Sequence, residues 1–162
     1  MPNHCENNLT ITGDQKVIDA WLRSNTSPAR YRSEEGEGSL ELLSFDCAVP
    51  MPSELKHTRV PAHEDGEREY QQRLTEKHGH GNWYEWSIAN WGTKWDAYDY
   101  REVWHGHTEL LAEFSTAWTP PLEWFHSMVV HWPKLQFRLT FEEAGCDING
   151  SITIPAKEVS SE

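Results

Sequence analysis

Apolar and polar positions follow two periods along the chain, and the switches between them mark out its elements. Leu9 and Ile11 alternate with Asn8, Thr10 and Thr12, which predicts a half-buried strand over residues 7–12. Gly13 ends it and Asp14 is a good N-cap. Val17, Ile18, Trp21 and Leu22 then form a helical stripe that fades at Ser24–Asn25, before a break at Ser27–Pro28. Tyr31 to Ser39 is acidic and polar and reads as a loop. Leu43, Phe45, Cys47 and Val49 return to period two and predict a second strand, stopped by Pro50-Met51-Pro52. Beyond it, Glu64 to Lys77 is expected as an exposed helix, with Tyr70 and Leu74 as its sparse apolar positions.

The stretch from Trp83 to Asp96, WYEWSIANWGTKWD, holds four of the chain's nine tryptophans. Tyr84, Ile88, Trp91 and Trp95 recur at helical spacing and predict the packed face of a helix, which Gly92 stops. A strand follows at Ala97 to Trp104, with Tyr98, Tyr100 and Trp104 on one face. His105-Gly106-His107 turns it into a returning strand with Leu110, Ala112, Phe114, Thr116 and Trp118 on one face. Thr119 is a candidate cap, and Pro120 or Pro121 a first residue, for a helix that buries Leu122, Phe125, Val129 and Trp132. Leu135, Phe137, Leu139 and Phe141 alternate with Gln136, Arg138, Thr140 and Glu142, the clearest strand of all. Ile152 and Ile154 make a last short one.

These elements order as strand, helix, strand, inserted helices, hairpin, helix, hairpin. That is an α+β, ferredoxin-like split βαβ plan, one antiparallel sheet with helices on one face. Residues 1–162 read as a single domain with a helical insertion at about 53–95.

Composition narrows the partners. The chain has 14 Lys and Arg against 26 Asp and Glu, a net charge of −12. Phosphate binding rests on Lys and Arg, so a general nucleic-acid binder is disfavoured. The acidity serves solubility, or suits a protein that meets a basic partner surface or imitates DNA. No run approaches the ~20 apolar residues of a spanning helix, and the polar start MPNHCENN lacks the features of a secretory signal. The three cysteines, Cys5, Cys47 and Cys146, are odd in number and far apart, as in reduced cytoplasmic proteins. No cofactor is expected.

Four motifs then carry a resemblance: P-N-H-C-E-N-N-L-T-I-T-G (Pro2 to Gly13), V-P-M-P (Val49 to Pro52), N-W-G-T-K-W-D (Asn90 to Asp96) and T-A-W-T-P-P (Thr116 to Pro121). Together they look like the YubB-like family of phage- and plasmid-carried proteins, a resemblance spanning Pro2 to about Ile154. It implies a ferredoxin-like domain and a mobile-element origin, and little chemistry.

The candidate binding surface is what the packed face of the tryptophan helix leaves over: Trp83, Trp86 and Asn90, with Lys94 and Asp96 at the helix exit. A part-exposed Trp beside an amide is the composition of a protein-binding hot spot, and also serves to stack a base. Lys94 and Asp96 form a structural ion pair across Trp95, or Lys94 meets an anion. His78-Gly-His80 and His105-Gly-His107 carry the one metal-like spacing; four imidazoles brought together would satisfy zinc. No nucleophile elbow or phosphate-binding glycine loop occurs. The expected function is a non-enzymatic accessory protein that binds a host protein through the Trp-rich helix and acidic surface; the resemblance implies a mobile-element setting, in which the role expected is that of an anti-defence factor. A single-stranded nucleic-acid binder using aromatic stacking is one alternative. A metal-dependent enzyme using the His-Gly-His loops is the other. The Tyr98, Tyr100 and Trp104 face is expected to lie under the insertion.

Overall fold

Alternation in the first strand decides where the core lies. In the computed structural model, which describes residues 3–33 and 36–158 and the side chains of these outside 29–40, β1 (His4–Thr12) buries Cys5, Asn7, Leu9 and Ile11. Its even-numbered residues turn the other way. β1 pairs antiparallel with β5 (Glu109–Ala117) on one side and β6 (Gln136–Glu143) on the other, so that Leu9 faces both Ala112 and Leu139. β4 (Tyr98–His105) and β7 (Ile148–Ile154) form the edges, in the order β4-β5-β1-β6-β7. All four pairings are antiparallel.

Two helices close the strand crossovers over one face. α1 (Gln15–Asn25) begins where the Asp14 side chain accepts the Lys16 N–H at 2.9 Å, as its N-cap chemistry requires. α6 (Leu122–His131) follows β5. Each crossover skips one strand, since β5 lies between β1 and β4 and β1 lies between β5 and β6. This is the expected ferredoxin-like plan. Trp21 of α1 meets Trp124 of α6 edge-to-face at 6.5 Å, above Leu9, Ile11, Phe114 and Phe137.

The expected second strand at Leu43 to Val49 does not exist. Leu43 ends β3 (Gly36–Leu43), and Phe45–Ala48 is a short helix, α2. Leu43 and Phe45 are both buried, as the period-two pattern requires, but a tertiary contact at Ser44 coils the chain after it. The expected acidic loop is also replaced. β2 (Thr26–Ser33) pairs with β3 as a separate two-stranded sheet, with Thr26 opposite Leu43 and Ser33 opposite Gly36. Glu34 and Glu35, at the centre of that loop, lie outside the described residues. The second strand of the split βαβ plan is therefore β4. Everything from Thr26 to β4 is inserted into the first crossover, a longer insertion than residues 53–95.

The insertion contains α3 (Ser53–Lys56), α4 (Asp65–His78) and α5 (Trp83–Trp91). α4 is the expected exposed helix, burying Leu74 alone. At its start the Glu67 carboxylate accepts the His63 and Glu64 N–H groups at 2.7 and 3.3 Å, and these bonds hold its pKa below the usual value. On α6 the buried centre is Trp124, Phe125 and Met128, while the expected Leu122, Val129 and Trp132 pack at its margins. Thr119 does not cap α6. Pro121 holds that position, and Thr119 bonds elsewhere. No helix among the described residues is long and apolar enough to cross a membrane.

Candidate functional site

The tryptophan segment forms α5 with the expected bounds, and its inward face differs from the expected one. Asn82 caps it, accepting the Glu85 N–H at 3.0 Å, and Gly92 closes it in the left-handed region at φ 83°. Trp86, Ser87 and Trp91 are buried, Trp86 to 7% exposure. Tyr84 and Ile88, read as packed, are each 41% exposed, and Trp95 is 40% exposed. The helix carries apolar residues around most of its circumference, so periodicity selects no unique stripe. Tertiary contact decides instead. Trp91 donates its indole N–H to the Val49 carbonyl at 2.9 Å, and Trp86 meets the Trp91 ring edge-to-face at 5.4 Å. Trp86 thus leaves the candidate surface. Asn90 stays half-buried at the surface, its amide donating to the Trp86 carbonyl at 2.9 Å, and does not line the cleft beside the junction.

The chain leaving α5 is clamped on three sides. The Thr93 hydroxyl donates to the Ala117 carbonyl at 2.9 Å, and the Thr119 hydroxyl to the Gly92 carbonyl at 2.8 Å. Ser87 donates to the Lys94 carbonyl at 2.9 Å. Asp96 does not pair with Lys94. Its carboxylate accepts the Phe45 N–H at 2.6 Å, the Ser44 hydroxyl at 2.7 Å, the Ala97 N–H at 2.7 Å and the Asp46 N–H at 3.5 Å. This satisfies donors at the start of α2 and explains why the chain coils there. Burial pushes the Asp96 pKa up, against the pull of those hydrogen bonds.

All four sequence motifs meet at this corner. N-W-G-T-K-W-D and T-A-W-T-P-P are joined through Thr93 and Thr119. V-P-M-P receives the Trp91 indole. From the first motif, the Asn7 amide donates to Thr116 Oγ1 at 3.0 Å, and the Asn3 carbonyl accepts the Trp118 N–H at 3.0 Å. Gly92 needs both its features here. Beyond its positive φ, a Cβ would lie 3.0 Å from Leu122 N and 3.1 Å from Glu123 N at the start of α6. Gly92→Ala is expected to lower stability by about 1–2 kcal/mol or more, the scale of a left-handed penalty plus crowding. A shift of the urea midpoint tests this; an unchanged midpoint would show that the α5–α6 junction is loose.

A cleft of about 300 Å³ opens beside the junction. Trp91 and Met51 form its floor, and Trp83 and Trp95 stand beside them. Lys94 lies with its ammonium 4.7 Å from the centre of the Trp95 ring. Across the cleft Lys56 pairs with Asp46 at 2.5 Å, and Asp46 also accepts the Met51 N–H at 2.8 Å. Of the five residues expected at the surface, the structure brings together Trp83, Lys94 and Asp96. Sequence reasoning missed Met51, Lys56 and Asp46, and placed Trp95 in the core. The signal for Met51 was present, since it lies inside one of the four motifs.

The His-Gly-His loops do not converge. His78 bonds Glu54 at 2.8 Å, beside α3. His105 bonds Asp19 at 3.2 Å and His107 bonds Gln15 at 2.9 Å, both on α1. Among the described residues no group of three or more His, Cys, Asp or Glu side chains is placed to hold a metal.

The sheet face opposite the helices is not covered as expected. Trp104 is 59% exposed there. Register shifts between Tyr98 and Arg101, and between Glu102 and Trp104, separate the three aromatics. Tyr100 packs against the core, and burial pushes its pKa up. Tyr98 is held at one end by His4 at 2.6 Å and the Thr116 carbonyl at 3.2 Å. Between them is a polar depression of about 360 Å³ lined by Glu6, Asp99 and Glu113, with Arg101 paired to Glu113. Carboxylates at this density repel a phosphate backbone, so base stacking on Trp104 lacks the cations that single-strand binders use.

Residues 90–162 match the family model described as the ferredoxin-like domain in Api92-like protein. That stretch starts at the N-W-G-T-K-W-D motif and runs through β4, β5, α6, β6 and β7. Among solved structures, the crystal structure of protein api92 from Yersinia pseudotuberculosis resembles the chain with a TM-score of 0.57 and 11% identity, covering 96% of this chain and 95% of that one. At that identity the likeness is one of fold. No curated protein matches the chain.

Proposed function

We propose that this chain is a non-catalytic binding protein that seats a segment of a partner protein in the cleft between Trp83 and Trp95. The observation that carries the reading is an aromatic wall beside a lysine that, among the described residues, no carboxylate pairs with. Among the described residues Lys94 has no ion-pair partner. Trp83 packs against the core and Trp95 stands exposed beside it, and tryptophans recur as interface anchors because each buries a large area for few rotatable bonds. Tyr84 and Ile88 extend the apolar surface along the outer side of α5. The four motifs that build this corner are those that resemble phage- and plasmid-carried proteins. On that resemblance the partner is a bacterial host protein, and blunting a host defence is the role that fits such an origin.

Capture from host lysate tests the reading. Wild-type protein and Trp104→Ala, altered on the sheet face, are expected to recover the same defined band, and Trp95→Ala to lose it. Equal recovery by Trp95→Ala, or no band with any of the three, removes the cleft from the account.

A further inference from the structure

We infer that the cleft reads a carboxylate set beside an apolar side chain, so that its ligand is a peptide segment carrying one acidic residue flanked by apolar ones. This rests on the cleft being the docking site proposed above. Asp96 spends its oxygens on Ser44, Phe45, Asp46 and Ala97. Asp46 spends its own on Lys56 and the Met51 N–H. Both acids are therefore committed to the fold and offer little to a cationic ligand. Among the described residues Lys94 has no ion-pair partner, and its position over the Trp95 ring sets an ammonium directly beside an aromatic face. A ligand that satisfies both presents an anion next to an apolar group.

The charge of the whole chain limits how much anion is tolerated. At −12 the surrounding field is negative, so attraction has to come from short-range contact with Lys94. A single carboxylate incurs the least repulsion. A phosphate, with nearly twice the charge, or a run of acids incurs more. The floor of Trp91 and Met51 supplies the apolar half of the contact, in a volume of about 300 Å³ suited to one large side chain.

The probes are N-acetyl-L-phenylalanine, its neutral amide, and adenosine monophosphate, each titrated into ¹⁵N-labelled protein while the indole N–H signals of Trp83 and Trp95 are followed. The acid is expected to move both signals and to bind about fivefold tighter than the amide, the scale of a part-exposed ion pair. In Lys94→Met, which keeps the apolar stem over Trp95, the acid should fall to the affinity of the amide. Equal binding of acid and amide to the wild type overturns the carboxylate preference and leaves the docking reading standing. Tighter binding of adenosine monophosphate overturns the peptide assignment in favour of a nucleotide. If no probe moves either indole signal, the inference and the docking reading fall together.

Discussion

Trp86→Ala is expected to destabilise the protein by about 3–5 kcal/mol, the cost of deleting a buried aromatic side chain and leaving its cavity. Trp95→Ala, four-tenths exposed in the wild type, should stay within about 1 kcal/mol. The two residues are nine positions apart in one tryptophan-rich stretch, and composition does not distinguish them. Trp86 sits at 7% exposure against the Trp91 ring, and Trp91 is in turn bonded to Val49 and packed on Phe45 at 6.1 Å. Removing Trp86 therefore loosens the link between α5 and the segment around α2. For a chain of this size 1 kcal/mol corresponds to about 2–4 °C, so the melting temperature of Trp86→Ala should fall by roughly 10 °C. Calorimetry on both variants checks the contrast; equal losses would mean that Trp95 also belongs to the core.

Asp96→Ala should cost about 2–4 kcal/mol, because it strips acceptors from the Phe45 and Ala97 N–H groups and the Ser44 hydroxyl at once. Asp96→Asn is expected to be mild. Its one carbonyl oxygen can still accept from Phe45 and Ala97, which share Oδ1, and its amide can donate to Ser44. The pH dependence separates the wild-type carboxyl from the carboxamide further. Burial raises the Asp96 pKa above its ordinary 3.8 in the folded chain, so between the unfolded and folded values the folded state holds more protons. Stability from this group therefore falls as pH rises through the window just above 3.8, and returns as pH is lowered through it. Wild type minus Asp96→Asn should show that slope in urea titrations across the window. A difference that is flat with pH would mean the hydrogen bonds offset burial at this carboxyl, and one that rises would mean they outweigh it.

How much of this was legible depended on whether local pattern or distant contact decided the outcome. β1, α1, β5, β6 and the bounds of α5 follow from alternation, stripe and caps, because each element is buried on one defined side. The segment 43–49 failed for a specific reason. Leu43 and Phe45 are buried as read, while Cys47 is exposed and Val49 half-buried, because Asp96, some fifty residues on, coils the chain with hydrogen bonds that period two cannot express. The hairpin of β2 and β3 failed because a polar strand pair with glycines at Gly36 and Gly38 carries little hydrophobic signal. At the site, Lys94 and Asp96 were singled out for their polarity. Their partners, Trp95 for one and the start of α2 for the other, are tertiary facts. The face of α5 was misread because nearly every side of it is apolar.

The proposed binding surface is the exposed cleft, not the buried side of the tryptophan helix. The most direct test is the dissociation constant of the captured partner for Trp95→Ala against wild type, measured at matched melting temperatures. A central aromatic anchor is worth about 2 kcal/mol or more, so at least roughly thirtyfold weaker binding is expected, with stability within about 1 kcal/mol of wild type. An unchanged dissociation constant for Trp95→Ala would contradict it.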